Sequence, residues 1–198
     1  MPVRMANHTL PIGRGLPFGS KLDFEIANMI TLDQLCWIAT AAYAVHALEE
    51  YTFNWRDWAR RALKVPCDWP TFYLTNSVVI VLGVVSAQIA PQAPILALFF
   101  PALLLINATF FHVLPFLRMK GRFSPGLLTA VLLFYSIGLL CYRAVFQTGL
   151  LTGQTLLTSF LGGALLMAVP VVFLKLKNRP YFLPAKGWVR SSGSERKI

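Results

Sequence analysis

The stretch Ile95–Leu117, ILALFFPALLLINATFFHVLPFL, contains no Asp, Glu, Lys or Arg. A helix of roughly 20 mostly apolar residues is long enough to cross the hydrocarbon core of a bilayer, so this segment reads as a spanning helix. Two further stretches, Thr71–Ala90 and Thr155–Leu174, are equally free of charge. Leu127–Phe146 reads the same way, with Arg143 close enough to its far end for the side chain to reach the interface. Thr31–Glu50 completes a set of five. It carries Asp33, His46, Glu49 and Glu50 and would insert poorly alone, so neighbouring helices are expected to shield its polar face.

The composition agrees with this pattern. Of 198 residues, 56% are hydrophobic and only 13% charged, and the mean hydropathy of +0.59 lies outside the range of ordinary soluble chains. The expected fold class is all-α, a polytopic membrane bundle of about five transmembrane helices. Residues 1–30 form an irregular N-terminal arm, 31–175 the bundle and 176–198 a basic C-terminal tail. No cleavable secretory signal is expected, because Arg4, Arg14, Lys21, Asp23 and Glu25 interrupt the N-terminal region. Cys36, Cys67 and Cys141 are isolated thiols and read as packing residues.

The net charge of +10 is distributed as a topology signal and not as a nucleic-acid surface. Arg56, Arg60, Arg61 and Lys64 follow the first apolar segment, Arg118, Lys120 and Arg122 follow the third, and seven basic residues lie from Lys175 onward. The link Pro91–Pro94 has none. Basic residues accumulate beside cytoplasmic helix ends, which predicts an outside N-terminus and a cytoplasmic C-terminus. Asn54 to Trp69 reads as an amphipathic surface stretch, with Trp55, Trp58 and Trp69 at headgroup depth. Pro115 and Pro170 are expected to kink their helices. Gly149 and Gly153 form a G-x-x-x-G spacing that can bring two helices together.

Polar residues converge on one end of this bundle. The tract His46-Ala47-Leu48-Glu49-Glu50 places an imidazole and two carboxylates on one helical face, at about 100° per residue. His112, near the end of the third span, and Asn76, near the start of the second, fall at the same depth. Two imidazoles and two carboxylates suit Zn, Fe or Mn better than Ca. His46, Glu49, Glu50 and His112 are therefore the candidate metal ligands and catalytic residues, and Asn76, Tyr43 and Thr109 the candidate substrate-binding residues. Thr109, three residues before His112, is expected to orient its ring. Asn107, five before it and about 140° away on an α-helix, is not expected to share its face. The structural alternative is a polar knot, with Glu49 and Glu50 paired to Arg118 or Arg122. A functional site is favoured because ionisable groups inside a membrane are expensive to retain.

These residues resemble the motifs of the HXXEE domain family of integral membrane proteins. The resemblance rests on His46, Glu49 and Glu50, on His112, and on Phe123-Ser124-Pro125-Gly126, where the family carries Y-x-P-G. It spans about Leu35 to Phe146. The family is described as of unknown function and supplies no substrate, and it selects the same residues.

The expected function is a small integral-membrane enzyme, metal-dependent, acting on a lipophilic substrate at the cytoplasmic leaflet by hydrolysis or by proton-transfer isomerisation or cyclisation. The cofactor is a divalent metal. A metal-free cyclase of isoprenoid or terpene chains using a glutamate general acid is the first alternative, and a transporter or structural subunit the second. The expected partners are the bilayer and a lipophilic small molecule, with a membrane oligomer left open and nucleic acid excluded.

Overall fold

A computed structural model describes residues 30–177, so the expected arm (1–30) and basic tail (176–198) fall almost wholly outside the described residues. Among these the chain forms helices and no strand. We number them α1 (Leu32–Thr52), α2 (Trp55–Ala62), α3 (Trp69–Ile89), α4 (Pro94–Arg118), α5 (Leu127–Gln147) and α6 (Gly153–Lys177).

Local sequence sets where these helices begin. Gln34 Oε1 accepts the Thr31 N–H at 3.0 Å, Asp68 Oδ1 accepts the Thr71 N–H at 2.9 Å, and Thr152 Oγ1 accepts the Thr155 N–H at 3.1 Å. Each satisfies a donor that the first turn leaves without an intrahelical partner. Asn54, in the left-handed region at φ 55°, caps the short α2 by accepting the Asp57 N–H. The Asn54 amide and the Arg56 guanidinium hold the Asp57 carboxyl below its usual range. The expected surface stretch is thus a helix with Arg56 stacked over Trp69 at 4.8 Å.

Five long helices stand where spans are expected. By length and composition, α3, α4 and α5 can each cross a membrane. The described side chains of α6 are apolar over the shorter stretch Gly153–Val169, and α1 lies outside this group. The outward surfaces are apolar, with Leu132 66% and Leu165 70% exposed, whereas His46 and His112 are completely buried. A surface of this kind suits lipid, since large exposed apolar areas are rare on soluble monomers.

α1 packs between α3 and α5, and α4 packs along α6. The glycines that permit the α4–α6 contact are not the expected G-x-x-x-G pair. A Cβ at Gly149 or Gly153 would meet nothing, because both lie at the α5–α6 turn, whereas one at Gly163 would come within 2.8 Å of Ala102 Cβ. Close approach of the two backbones therefore uses Gly163, in the middle of the apolar run.

Two π-helical turns interrupt the α pattern, Ala108–Val113 in α4 and Ala130–Phe134 in α5. The first lies directly before Pro115, whose missing N–H and bulky ring disturb the preceding turn. The helix continues through the proline by widening. Both insertions flank the cluster of polar residues, a frequent location for single π turns.

Candidate metal centre

The last two turns of α1 carry His46, Glu49 and Glu50, and the π turn of α4 brings His112 to meet them. His46 Nε2 and His112 Nε2 each lie 3.5 Å from Glu50 Oε1, and the two imidazoles meet edge-on with centroids 4.8 Å apart. All three residues are buried, Glu50 being 6% exposed. The ligand atoms of His46, Glu50 and His112 lie within 4.8 Å of one another, so this group could hold a metal ion. Oxygen and nitrogen ligands about 2.0–2.1 Å from a tetrahedral ion stand about 3.3–3.4 Å apart, close to the two His–Glu separations.

A hydrogen bond behind His46 fixes which of its ring nitrogens carries a proton. Thr129 Oγ1 lies 2.6 Å from Glu49 Oε2 and 2.8 Å from His46 Nδ1. An ionised carboxylate only accepts, so the single hydroxyl proton goes to Glu49 and the hydroxyl oxygen receives Nδ1–H from His46. His46 Nε2 is then a bare lone pair. His112 turns Nδ1 toward Ser124 Oγ at 3.4 Å. Neither Nε2 has a hydrogen-bond partner, although both are buried. A cation placed among these three groups would engage all of them.

Glu49 does not join this group. Its oxygens accept the backbone N–H groups of Gly126 (3.1 Å), Leu128 (3.2 Å) and Thr129 (2.8 Å), at the start of α5. The expectation of a fourth ligand is therefore corrected. The positive end of α5 captures the carboxylate as an interhelical cap, a favourable place for negative charge. Nor do Glu49 and Glu50 pair with Arg118 or Arg122, as the knot requires. A carboxylate–arginine bridge joins Asp57 to Arg56.

The Pro125-Gly126 turn closes the centre from the other side. Gly126 has φ 88°, and a Cβ there would lie 2.6 Å from His112 Cε1 and 2.7 Å from His46 Cε1. Only glycine meets both demands, backbone conformation and space. The segment expected to serve as a helix-starting turn is also the wall against which both rings rest.

Beside the centre a cavity of about 100 Å³ is lined by Glu50, Tyr43, Asn76, Asn107 and Trp55, with Leu103, Phe111 and Met167 among its apolar residues. A single water needs about 10–15 Å³ on this kind of measure, so there is room for several waters or part of a ligand. Tyr43 donates to Asn76 Oδ1 at 2.8 Å and Asn76 Nδ2 donates to the Phe72 carbonyl at 2.9 Å, and these two of the three expected substrate residues line the wall. Thr109 is elsewhere. Its hydroxyl donates to the Leu105 carbonyl at 2.7 Å and meets Tyr135 at 2.9 Å, so it does not orient His112. The α-helical angle between Asn107 and His112 also fails here. The intervening residues form a π turn with i→i+5 bonding, which brings residues five apart toward the same side.

Sequence reasoning missed Thr129 and Trp55 as parts of this region, and it set Asn107 aside. Thr129 stands three residues after Gly126, at the capping end of α5, and that spacing was the available signal. A buried His-Glu-His centre within a bundle of helices, three of them long and apolar enough to cross a membrane, defines an all-helical class of protein with a candidate metal site. Residues 37–141, more than half of the chain, match the family described as "protein of unknown function with HXXEE motif", and the chain belongs to that family. No curated protein and no solved structure matches it.

Proposed function

We propose that the chain is a metal-dependent integral-membrane enzyme, with His46, His112 and Glu50 as the ligands of a divalent ion and the adjoining cavity as the place where a lipophilic substrate reacts. The observation that carries this reading is the meeting of two Nε2 atoms, neither with a hydrogen-bond partner, with one carboxylate oxygen in a buried site. Two imidazoles and one carboxylate leave coordination positions open, as catalytic Zn and non-haem Fe(II) sites do. A bound ion would polarise a substrate oxygen and acidify a water beside it.

The protein's own groups supply the rest. Tyr43 and Asn76 hold one wall, and apolar side chains limit access of bulk water. No hydrogen bond holds Glu50 Oε2, so Glu50 is the group in place to move a proton once Oε1 is engaged. Hydrolysis, or proton transfer leading to isomerisation or cyclisation, fits this equipment. The basic residues of α2 and of the α4–α5 link favour a cytoplasmic position for this end and an outside N-terminus.

Metal analysis of detergent-purified protein, beside His46→Ala and Glu50→Gln, tests the reading. About one Zn, Fe or Mn per chain in wild type and little in the variants is expected. Active wild type without stoichiometric metal would reject it in favour of a metal-free glutamate acid.

A further inference from the structure

The cavity beside the centre lies among helices that do not all close on one another. α1 packs along α3 and α4 packs along α6, but among the described residues α3 and α6 make no extended contact. Thr75 of α3 and Met167 of α6 both line the cavity, so it sits where the two packed pairs part. Helix association in a membrane depends on close packing, and a pair without it leaves room for lipid chains.

The lining grades from closed to open. Glu50, Tyr43 and Leu103 are buried, whereas Thr75, Asn107, Phe111 and Met167 are partly exposed, as are Trp55 and Val65 of α2 and the link that follows it. None of these partly exposed residues is charged. The exposed Arg60, Arg61 and Lys64 of the same segment take no part in the lining. A charged molecule would leave water there with nothing at the mouth to receive it, which is costly.

We infer that the cavity is entered sideways from the bilayer, through the gap between α3 and α6, by a membrane-dissolved molecule carrying a flexible hydrocarbon chain, and that Thr75 and Met167 set the width of the entrance. Met167 suits a threshold that must give way, since methionine is unbranched and has three rotatable bonds. Size agrees with partial entry. An apolar cavity of about 150 Å³ holds a benzene-sized guest, so one of about 100 Å³ takes only the reacting end of such a molecule. The rest of the chain stays among the lipids. This inference rests on the reading of the cavity as the substrate site, since it names the route and the class of molecule that reaches it.

Cys67 reports on entry, because it lines the cavity while Cys36 and Cys141 do not. The full chain in phosphatidylcholine vesicles is treated with N-hexylmaleimide, which dissolves in the bilayer, or with its analogue ending in a sulfonate, which stays in water. Peptide mass spectrometry follows the Cys67 adduct. The hexyl reagent should react at least tenfold faster than the sulfonate. Met167→Trp and Thr75→Phe, which narrow the gap from opposite helices, should each slow the hexyl reagent at least tenfold, and a melting temperature shows which variants are folded. Val65→Phe, at the α2 end, should leave its rate near that of wild type. Equal rates for the two reagents, no adduct at Cys67 with either, or slowing by Val65→Phe as great as by the gap variants would overturn the inference. His46→Ala should label at the wild-type rate, so failure of metal binding and failure of this entrance are read separately.

Discussion

Thr129 Oγ1 lies 2.8 Å from His46 Nδ1 while also giving its proton to Glu49 across 2.6 Å. Glu49 therefore acts on the buried centre through an intermediary. It fixes the start of α5 with three backbone amides, and the same capped turn presents the hydroxyl that sets the His46 tautomer. The two adjacent glutamates of the motif stand in separate positions, one inside the cluster and one behind it.

Thr129→Val keeps the shape of the side chain and removes its oxygen. His46 Nδ1–H loses its acceptor, and an unpaired buried donor costs about 1–3 kcal/mol. Loss of such an outer partner typically lowers metal affinity about 10–100-fold. Titration against a competing chelator should show that weakening, with Thr129→Ser restoring most of it. Wild-type affinity in the valine variant would remove the hydroxyl from the argument.

Glu49→Gln and Glu50→Gln should fail differently. The Glu50 change replaces a ligand oxygen and should abolish stoichiometric metal. The Glu49 change leaves the three ligands in place but weakens the charge-assisted cap of α5, a contribution on the order of 1–2 kcal/mol. Its expected signature is a lower melting temperature with metal content near one per chain. If the Glu49 variant loses metal as completely as the Glu50 variant, the division of labour is wrong.

The contrast between those glutamates was not legible in the sequence. On an ideal helix Glu49 and Glu50 flank His46 alike, and only the position of the α5 N-terminus distinguishes them. Charge-free runs such as Ile95–Leu117 made the spanning helices visible, because hydropathy is local. His112 was also recoverable, since an imidazole in such a run needs a partner and the motif tract lay at the same depth. The π turn was not: an α-helical angle from Asn107 to His112 does not apply across it, and Thr109 turns to Leu105 and Tyr135 instead of His112. Such an insertion arises from tertiary contacts and from Pro115 downstream, and leaves no periodicity to read.

A pair of glycines isolates the contribution of the wall. Gly126 and Gly149 both have positive φ, 88° and 74°, but a Cβ at Gly149 meets nothing within 4 Å, whereas one at Gly126 collides with both imidazoles. Gly149→Ala should therefore cost only the backbone term, about 1–2 kcal/mol, and should leave metal binding unchanged. Gly126→Ala pays the same term and also displaces His46 or His112, since backbone and ring cannot occupy one space. It should melt well below Gly149→Ala and bind metal weakly or not at all. Equal melting temperatures with full metal content in both variants would mean that the rings have room to retreat, and that the Pro125-Gly126 turn does not hold them in register with Glu50.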